Sequence, residues 1–442
     1  MKNNYGMSGM EIKRLKVLVI AEAANPDWTS VPLIGWSHAA ALKSVCDAHL
    51  VTQIRNRQAI LNQGWKEGVD FTAIDSEKLN RPIHRLSTFL RGGNKSAWTI
   101  STALASLIYP YFEYLCWKTF QARLIAGEFD VVHRITPVSP TAPSYLAKKL
   151  RNINVPFVVG PLNGGVAWPS QFSGVPRKEK EWLSHIRGIY RWLPGYRSLL
   201  DNCSAIISGS SATFNQLPKR IRQKQFYVAE NAIDPDRFSL THDGQYELPL
   251  KAAFVGRLVP YKGADMALEA LEPLLKVGKI RFDIYGDGPE KQHLQSLVDD
   301  LDLSDYVTIH GFVSHAELQA KLVCADVLVF PSIREFGGGV VLESMALGVV
   351  PIVVDYAGPA ELVSDEIGYL VPMGNRESII DDLRLTLDAI CADPAQLQKR
   401  RKAGIAKVSE CYTWTKKAEQ SKEIYLWVTG RGLKPTYQNP PK

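Results

Sequence analysis

The chain has 442 residues, which is enough for two ordinary domains. Of these residues 45% are apolar and 22% charged, a composition that excludes a disordered or fibrous protein. Its six cysteines lie far apart without a Cys-x-x-Cys pair, which argues against a disulfide framework or zinc site and favours a reducing, cytoplasmic environment. The net charge of +7 is uneven, because residues 1–240 carry 30 Lys and Arg against 17 Asp and Glu, so the two halves are expected to bind different partners.

The first predicted element is a strand at residues 17–21. Its apolar core is about five residues long and runs into Glu22, whereas a signal peptide needs roughly 7–15 apolar residues. Residues 98–120 are the one stretch worth considering as a membrane span. They include Pro110, Glu113 and Lys118, so we predict a buried or interfacial helix instead.

Short apolar runs recur along the chain between segments of helical length. Most are apolar throughout, as expected for parallel strands buried on both faces. An irregular stretch at 239–249 divides them into two series. We therefore predict an α/β protein with two doubly wound, Rossmann-like domains, residues 1–240 and 241–420, and ligands in the cleft between them. The predicted strands are 17–21, 131–135, 157–160, 205–208, 252–256, 282–286, 307–311, 327–331 and 352–355; helices are predicted at 264–275 and 289–301.

A turn with two glycines follows the predicted strand 157–160. Asn163, Gly164 and Gly165 are expected to expose backbone to the cleft, with Trp168 as a platform on which an acceptor sugar stacks. An ordinary strand-to-helix turn with a core tryptophan fits the same residues equally well. Both interpretations of this acceptor site stay open at this point.

Residues 177–197 are basic and contain interleaved aromatic residues. This pattern is typical of a helix at an anionic membrane surface, or of a site for an anionic lipid-linked acceptor. A solvated helix whose long basic side chains cover apolar surface has the same composition. RNA binding is disfavoured because no nucleic-acid motif accompanies the segment. The chain is thus expected in the cytoplasm, with peripheral association at the membrane left open.

Asp234, Pro235 and Asp236 form a D-x-D sequence, which binds metal ions in some proteins. The proline between the two carboxylates favours a turn or a helix cap. We therefore predict that this sequence is structural.

Residues that could bind a ligand or take part in catalysis are densest between 256 and 343. In the first motif, VGRLVPYKG, a predicted strand ends at Gly256 and a helix begins after Gly263. Arg257 and Lys262 lie in the turn between them, where two cations can neutralise a diphosphate. An isolated pair at this spacing is more often part of a solvated loop, so the assignment depends on the second motif.

The second motif is PSIREFGGGVVLESMALG. Three glycines, 337–339, leave backbone amides accessible just before a predicted helix from Val340, which is the arrangement of an anion site. Glu335 precedes the glycines and Glu343 lies on the helix. Eight residues of ideal helix span about 12 Å, beyond the ~5–9.5 Å between the carboxylates of a glycosidase, so the two glutamates are assigned different roles.

The two motifs resemble those of retaining glycosyltransferases of family 4, which belong to the glycosyl transferases group 1 and have the GT-B fold. EFGGGVVLE resembles the family's E-x7-E motif, and GRLVPYKG its phosphate-binding loop. The resemblance extends over about residues 226–372 in the family's order. It continues through NAIDPDRF, IYGDGPE, IHGFV, ADVLVFPS, AGPAELV and GYLVP.

The resemblance implies a role for each motif residue in binding the donor. Arg257 and Lys262 would bind the diphosphate, and Glu343 the ribose. Glu335 would hold hydroxyls of the donor sugar together with the backbone amides that follow it. Val313, in the segment 311–313, would lie beside the base. The amides in question belong to Phe336, Gly337, Gly338 and Gly339.

The resemblance is weaker in the N-terminal half. Gly35 is expected to open a helix after the first strand and to match the family's glycine-rich loop near the diphosphate. His133, in DVVHRITPVSP, is expected at the end of a strand at the cleft edge, near the donor sugar. CYTWTKKAEQSKEIYLWV resembles the terminal helix that crosses back in this fold, so residues 421–442 are assigned to a crossing helix and tail.

The reaction implied is retaining transfer of a hexosyl unit from a UDP- or GDP-linked sugar to a glycan, lipid-linked or other hydroxyl acceptor, in polysaccharide or glycoconjugate synthesis. Arg257, Lys262, Glu335 and His133 form the expected catalytic set. Cationic side chains and helix amides can take a metal's place, so neither a metal nor a cofactor is expected. A GT-B-fold sugar-nucleotide epimerase and a non-catalytic, membrane-associated partner subunit are the alternatives. An NAD dehydrogenase is disfavoured because no G-x-G-x-x-G follows the first strand.

Overall fold

The computed structural model describes residues 14–77, 98–172 and 194–437, and only the backbone of residues 98–108, 194, 315 and 316. The chain begins with a parallel sheet of seven strands in the order β3-β2-β1-β4-β5-β6-β7. These strands are β1 (Lys16–Ala21), β2 (Asp47–Gln53), β3 (Phe71–Ile74), β4 (Val131–Thr136), β5 (Phe157–Leu162), β6 (Ala205–Ser208) and β7 (Gln225–Tyr227).

Helices pack on both faces of this first sheet, which explains why nearly every residue of β1, β4, β5 and β6 is buried, including the polar residues of β4. Each face has its own cluster of buried apolar side chains. The helices are α1 (Val31–Val45), α2 (Arg57–Asn62), α3 (Trp98–Ile125), α4 (Leu146–Asn152), α5 (Pro194–Asn202) and α6 (Ser211–Gln216).

A second parallel sheet of six strands follows, in the order β10-β9-β8-β11-β12-β13, around a separate apolar core. Its strands are β8 (Leu250–Val255), β9 (Ile280–Tyr285), β10 (Val307–Gly311), β11 (Val327–Phe330), β12 (Val350–Val354) and β13 (Tyr369–Val371). The helices are α7 (Ala264–Lys276), α8 (Lys291–Asp300), α9 (His315–Leu322), α10 (Gly339–Leu347), α11 (Ala357–Leu362), α12 (Arg376–Ala392), α13 (Leu397–Cys411) and α14 (Trp414–Val428).

All nine predicted strands are present, and their ends differ only slightly from the predicted ones. The predicted helices at 264–275 and 289–301 are confirmed by α7 and α8. The segment between β7 and β8 contains neither helix nor strand, as the irregular stretch at 239–249 predicted. Four strands were not predicted, namely β2, β3, β7 and β13.

Helix α14 returns to the first sheet after the second sheet is complete. Ala418, Ile424 and Tyr425 on this helix are buried in the apolar cluster formed by β1, β4 and α1. His38 of α1 lies 3.1 Å from the hydroxyl of Ser421 on α14. The helix begins at Trp414, so its first turns lie before the predicted boundary at residue 421.

Helix α3 is the predicted buried or interfacial helix. Its Glu113 is buried and accepts hydrogen bonds from the Ser144 hydroxyl and from the amides of Tyr145 (2.8 Å) and Leu146 (3.0 Å), at the start of α4. Burial raises the pKa of the Glu113 carboxyl. Among the described residues, no helix is long and apolar enough to cross a membrane.

Two sequence predictions have direct structural outcomes. All six cysteines lie within the described residues and have free thiols. The D-x-D sequence forms a turn, as predicted: the Asp234 carboxylate accepts a hydrogen bond from the amide of Asp236 at 3.1 Å, and both residues are exposed.

Of the basic segment 177–197, residues 177–193 lie outside the described residues.

Candidate active site

The C-terminal motifs meet where the strand order of the second sheet reverses. β8 is the first strand of that sheet along the chain, and it lies between β9 and β11. Ligands of open parallel sheets bind at such a reversal, beyond the carboxyl ends of the strands. The turn after β8 carries Arg257 and Lys262, and the turn after β11 carries Glu335 and residues 337–339. The fold therefore places both motifs at one site.

The turn after β8 contacts the start of the second motif. Lys262 ends a short 3-10 helix, Pro260–Lys262, and Gly263 follows in the left-handed region with φ 74°. A side chain at Gly263 would be strained, and its Cβ would lie 2.7 Å from the carbonyl oxygen of Pro331. Only glycine allows this close approach. Arg257 in the same turn is exposed.

Lys262 and Glu335 form an ion pair that links the two motifs. Their side chains are 16% and 18% exposed, so the pair lies mostly out of water. The Lys262 ammonium also lies 5.0 Å from the centre of the Phe330 ring. Burial lowers the pKa of Lys262 to about 8. The pair thus holds a partly desolvated cation at the strand-order reversal, where an anionic ligand would bind.

The glycine turn leads directly into α10. This helix begins at Gly339, one residue before the predicted start, after Gly338 with φ 57°. The carbonyl of Glu335 accepts a hydrogen bond from the amide of Gly358 at 3.2 Å, which anchors the turn to α11. The first amides of a helix attract negative charge. Glu343 lies half-buried on α10, as the motif predicted.

The segment predicted beside the base ends the neighbouring strand β10. Gly311 accepts a hydrogen bond from the amide of Gly286 at 2.8 Å, which joins the ends of β10 and β9. Val313 packs on the core of the second sheet, whereas Phe312 is 77% exposed. The segment therefore presents an aromatic side chain at the same edge of the sheet.

His133 does not lie where the sequence predicted. It is the third residue of the six-residue strand β4 and is fully buried under α14. Its Nε2 lies 2.7 Å from the carbonyl oxygen of Gly160, and its Nδ1 lies 2.5 Å from the Tyr425 hydroxyl. The expected position at a strand end on the cleft edge is wrong. Direct contact of its ring with the donor sugar would require at least one of these hydrogen bonds to break.

The buried position of His133 predicts a loss of stability in acid. Burial lowers the pKa of His133 to about 4, so between pH 6.5 and 4 the unfolded chain binds more protons than the folded one. The free energy of unfolding must therefore fall as pH falls through this window. Between pH 7 and pH 5 we expect His133→Gln to remove roughly 2 kcal/mol of this fall, as measured by urea denaturation.

Two histidines help to interpret that experiment. Burial also lowers the pKa of His38, so part of the acid dependence remains in the His133→Gln variant. His293 is exposed on α8, so His293→Gln is the matched control and should unfold like the wild type. An unchanged difference between pH 7 and pH 5 in His133→Gln would contradict the assignment.

Gly35 also differs from its prediction. It does not open the helix, because α1 begins at Val31 with a proline in its first turn. A Cβ at Gly35 would lie 2.1 Å from the carbonyl oxygen of Ala23 and 3.2 Å from a methyl group of Thr136. Glycine is therefore required here for close packing of α1 against the ends of β1 and β4.

The turn after β5 does not offer free amides to the cleft. The amides of Asn163, Gly164 and Gly165 donate to the Val138 carbonyl (2.7 Å), the Thr213 hydroxyl (2.8 Å) and the Asn163 side chain (3.2 Å), respectively. The expectation of exposed backbone at these residues is therefore wrong.

Trp168 packs against the second domain. Its ring meets Tyr261 edge-on with centroids 5.8 Å apart, and the Arg334 guanidinium lies 4.6 Å from its centre. The neighbouring carbonyl of Ala167 accepts a hydrogen bond from the Tyr356 hydroxyl at 2.9 Å. These contacts support the alternative of a packing tryptophan, and they join the two domains beside the Lys262 turn.

Two glutamates near the site, half-buried Glu361 and buried Glu230, were not singled out by the sequence. Glu361 of α11 accepts hydrogen bonds from the Ser211 amide (2.8 Å) and the Tyr227 hydroxyl (2.9 Å), which belong to the first domain. Glu230, directly after β7, is 5% exposed and accepts a hydrogen bond from the Asn163 side chain. Glu361 lies in the segment AGPAELV, which is part of the family resemblance, whereas no sequence motif contains Glu230.

Residues 239–404 match the family model described as glycosyl transferases group 1. This range contains Arg257, Lys262, Glu335 and Glu343. The C-terminal half therefore contains a glycosyl transferases group 1 domain.

Similar curated proteins are glycosyltransferases. The chain is 28% identical over 246 residues to the putative colanic acid biosynthesis glycosyltransferase WcaL of Escherichia coli, which covers 54% of the chain and 57% of that protein. It is 24% identical over 368 residues to the 2-deoxystreptamine glucosyltransferase of Streptomyces kanamyceticus, and this match covers 79% of the chain and 88% of that protein. It is 29% identical over 160 residues to the amylovoran biosynthesis glycosyltransferase AmsK of Erwinia amylovora, and this match covers 34% of the chain and 39% of that protein. The chain thus spans little more than half the length of the Escherichia coli relative.

Solved structures share the fold along nearly the whole chain. A glycosyltransferase from Rickettsia africae is 16% identical, with a TM-score of 0.61 over 94% of this chain and 98% of its own. Anabaena HepE, solved in complex with UDP and glucose, is 15% identical, with a TM-score of 0.56 over 93% of this chain and 99% of its own. At such identity the likeness concerns the fold alone. Together with the two parallel sheets, it confirms the predicted GT-B fold.

Proposed function

We propose that this protein is a retaining glycosyltransferase that moves a hexosyl unit from a nucleotide diphosphate sugar to a hydroxyl acceptor. The observation that carries the proposal is the pairing of Lys262 with Glu335 where the strand order reverses, beside the turn 337–339. A cation, a carboxylate and a helix N-terminus at one site are the groups that a sugar diphosphate needs.

Each group has a distinct proposed role. Arg257, Lys262 and the first amides of α10 stabilise the negative charge that develops on the diphosphate when the bond to the sugar breaks. Glu335 accepts hydrogen bonds from the donor sugar, and Glu343 binds the ribose. In the free protein Lys262 and Glu335 neutralise each other, and the bound donor provides a new partner for both.

The proposed chemistry is same-face attack. The bond between the sugar's C1 and the phosphate oxygen breaks, and the acceptor oxygen bonds to C1 on the same face. The departing phosphate oxygen accepts the proton of the acceptor hydroxyl, so charge and protons balance without a carboxylate nucleophile. Because Arg257 and Lys262 supply positive charge, we propose transfer that needs neither a metal nor a cofactor.

The two domains are proposed to divide the substrates. Residues 241–420 hold a UDP- or GDP-linked donor, and residues 1–240, which carry the excess of positive charge, hold a glycan or lipid-linked acceptor. Relatives named for colanic acid and amylovoran biosynthesis favour a role in polysaccharide synthesis.

The proposal is tested first by nucleotide binding. We expect UDP or GDP, and not ADP, to raise the melting temperature, because a ligand that binds only the folded state stabilises it. The preferred nucleotide's sugar conjugates are then incubated with and without a hydroxyl acceptor, and the anomeric configuration of the product is determined by NMR. Absence of stabilisation by every nucleotide would contradict the proposal. Conversion of the donor sugar without an acceptor would instead indicate an epimerase.

A further inference from the structure

Glu230 is a buried carboxylate that the proposed mechanism does not use. It follows β7, and its amide donates to the carbonyl of Gly209 at 3.0 Å. The residue is 5% exposed, and burial raises the pKa of its carboxyl. Buried carboxylates normally have a cationic partner. Within the described part of the chain, the carboxylate of Glu230 is hydrogen-bonded only to the Asn163 amide and forms no direct ion pair, although the nearby Lys417 ammonium favours its charged form.

Three separate elements hold Glu230 in place. The turn after β5 provides Asn163, whose side-chain amide donates to Oε2 of the carboxylate. Helix α14 provides Lys417, whose ammonium binds the backbone carbonyl of Glu230 and not its carboxylate. A Cβ at Gly209 would lie 2.9 Å from the Cβ of Glu230, so β6 also packs closely against it. The backbone and Cβ of Glu230 are therefore held by α14 and β6, and its carboxylate by Asn163.

The carboxylate faces the glycine turn of the other domain. A Cβ placed on Gly337 would lie 3.1 Å from Oε2 of Glu230 and 2.3 Å from the side-chain nitrogen of Asn231. Residues that follow the last strand of the first sheet thus contact the turn that leads into α10. Glu335, which is proposed to hold the donor sugar, directly precedes this turn. Oε1 of Glu230 receives no hydrogen bond from the described residues.

A fixed carboxylate with one unbonded oxygen is suited to accept a hydrogen bond from a sugar hydroxyl. An ionised carboxylate only accepts hydrogen bonds, and such bonds to hydroxyl donors are stronger than those between neutral groups. A donor that lacks the matching hydroxyl would leave Oε1 of the buried carboxylate without a hydrogen bond, and a site built in this way discriminates strongly against such an analogue.

We propose that Glu230, held by Asn163, determines donor-sugar specificity by accepting a hydrogen bond from one hydroxyl of the sugar. The inference rests on the proposed function and assigns to the first domain a direct part in the donor site. It also gives a reason for the glycine at 337, because a Cβ there would displace the Asn231 side chain and press on Oε2 of Glu230.

The test compares the sugar nucleotide with the bare nucleotide. UDP, GDP, UDP-glucose, UDP-N-acetylglucosamine and GDP-mannose are titrated into the full-length protein by calorimetry. For Glu230→Ala we expect the Kd of the preferred sugar nucleotide to rise about 10- to 100-fold while the Kd of its bare nucleotide stays unchanged. Glu230→Gln keeps an acceptor oxygen without the charge, so a smaller rise is expected. Asp236→Asn, an exposed acid in the following turn, is the matched control.

Deoxy analogues of the preferred sugar nucleotide identify the hydroxyl. In the wild type one deoxy analogue should bind about 10- to 100-fold more weakly than the parent, and in Glu230→Ala that difference should disappear. Equal weakening of bare nucleotide and sugar nucleotide, or unchanged binding of both in the two Glu230 variants, would overturn the inference while leaving the proposed function intact. A wild type that binds none of the five probes would instead refute the proposed function.

Discussion

We expect Lys262→Ala to lower kcat/KM for sugar transfer at least 100-fold, which is about 2.7 kcal/mol of transition-state stabilisation. The Lys262 side chain lies at the strand-order reversal and is only 16% exposed, so in the proposed mechanism its charge acts on the departing diphosphate with little screening by water. The same substitution should weaken binding of bare UDP or GDP, because the proposed contact is with the diphosphate. Initial rates and nucleotide titrations measure the two effects separately.

A control lysine separates this effect from a general loss of positive charge. Lys276 ends α7, which begins just after Lys262, and pairs on the surface with Glu272 at 2.8 Å. Lys276→Ala removes the same charge with little energetic consequence, since exposed pairs contribute about 0–1 kcal/mol. Circular dichroism would establish that both variants are folded. Near-normal turnover of folded Lys262→Ala with its natural donor would show that the role assigned to Lys262 is wrong.

Much of the fold was predictable because most of the nine predicted strands consist mainly of apolar residues. β2 was missed because its sequence, DAHLVTQ, mixes polar and apolar residues. The structure accounts for one of them: His49 is buried and bonds to the Val69 carbonyl (2.9 Å) and the Thr72 hydroxyl (2.8 Å). β7 and β13 have three residues each, too few for a periodic pattern to be visible.

The candidate site was predictable only where its residues are close in sequence. Arg257 and Lys262 share one turn, and Glu335 and Glu343 flank another, so composition and spacing marked both motifs. The N-terminal assignments depended on contacts between distant segments. His133 is covered by Tyr425 of α14, 292 residues further on, and nothing near it in sequence indicates that cover.

Glu230 could not be predicted for the same reason, because its contacts are with residues far away in the sequence. The segment NAIDPDRF drew attention to Asp234 and Asp236, which are exposed, yet the buried carboxylate belongs to Glu230 just before it. Its bond to Asn163 spans 67 residues, and its proximity to Gly337 joins two domains. Such a residue becomes visible only when the burial and bonding of each carboxylate are examined in the folded chain.

The second large effect is expected for Glu335→Ala, which should also lower turnover at least 100-fold. The proposed contact is with hydroxyls of the sugar, so this variant should bind bare UDP or GDP as well as the wild type or better, since Lys262 is released from its ion pair. The opposite responses of Lys262→Ala and Glu335→Ala to the bare nucleotide distinguish a phosphate-binding residue from a sugar-binding one. Exposed Glu366 provides the matched control, Glu366→Ala.

The ion pair itself provides the strictest test of these roles. Either single substitution leaves a mostly buried charge without its partner, so each should lower the melting temperature. The double variant with Lys262→Met and Glu335→Leu replaces both charges by apolar groups and should recover much of that stability. If the pair serves donor binding and transfer, the recovered protein stays at least 100-fold less active than the wild type. If turnover returns together with stability, the pair is structural and both proposed roles fail.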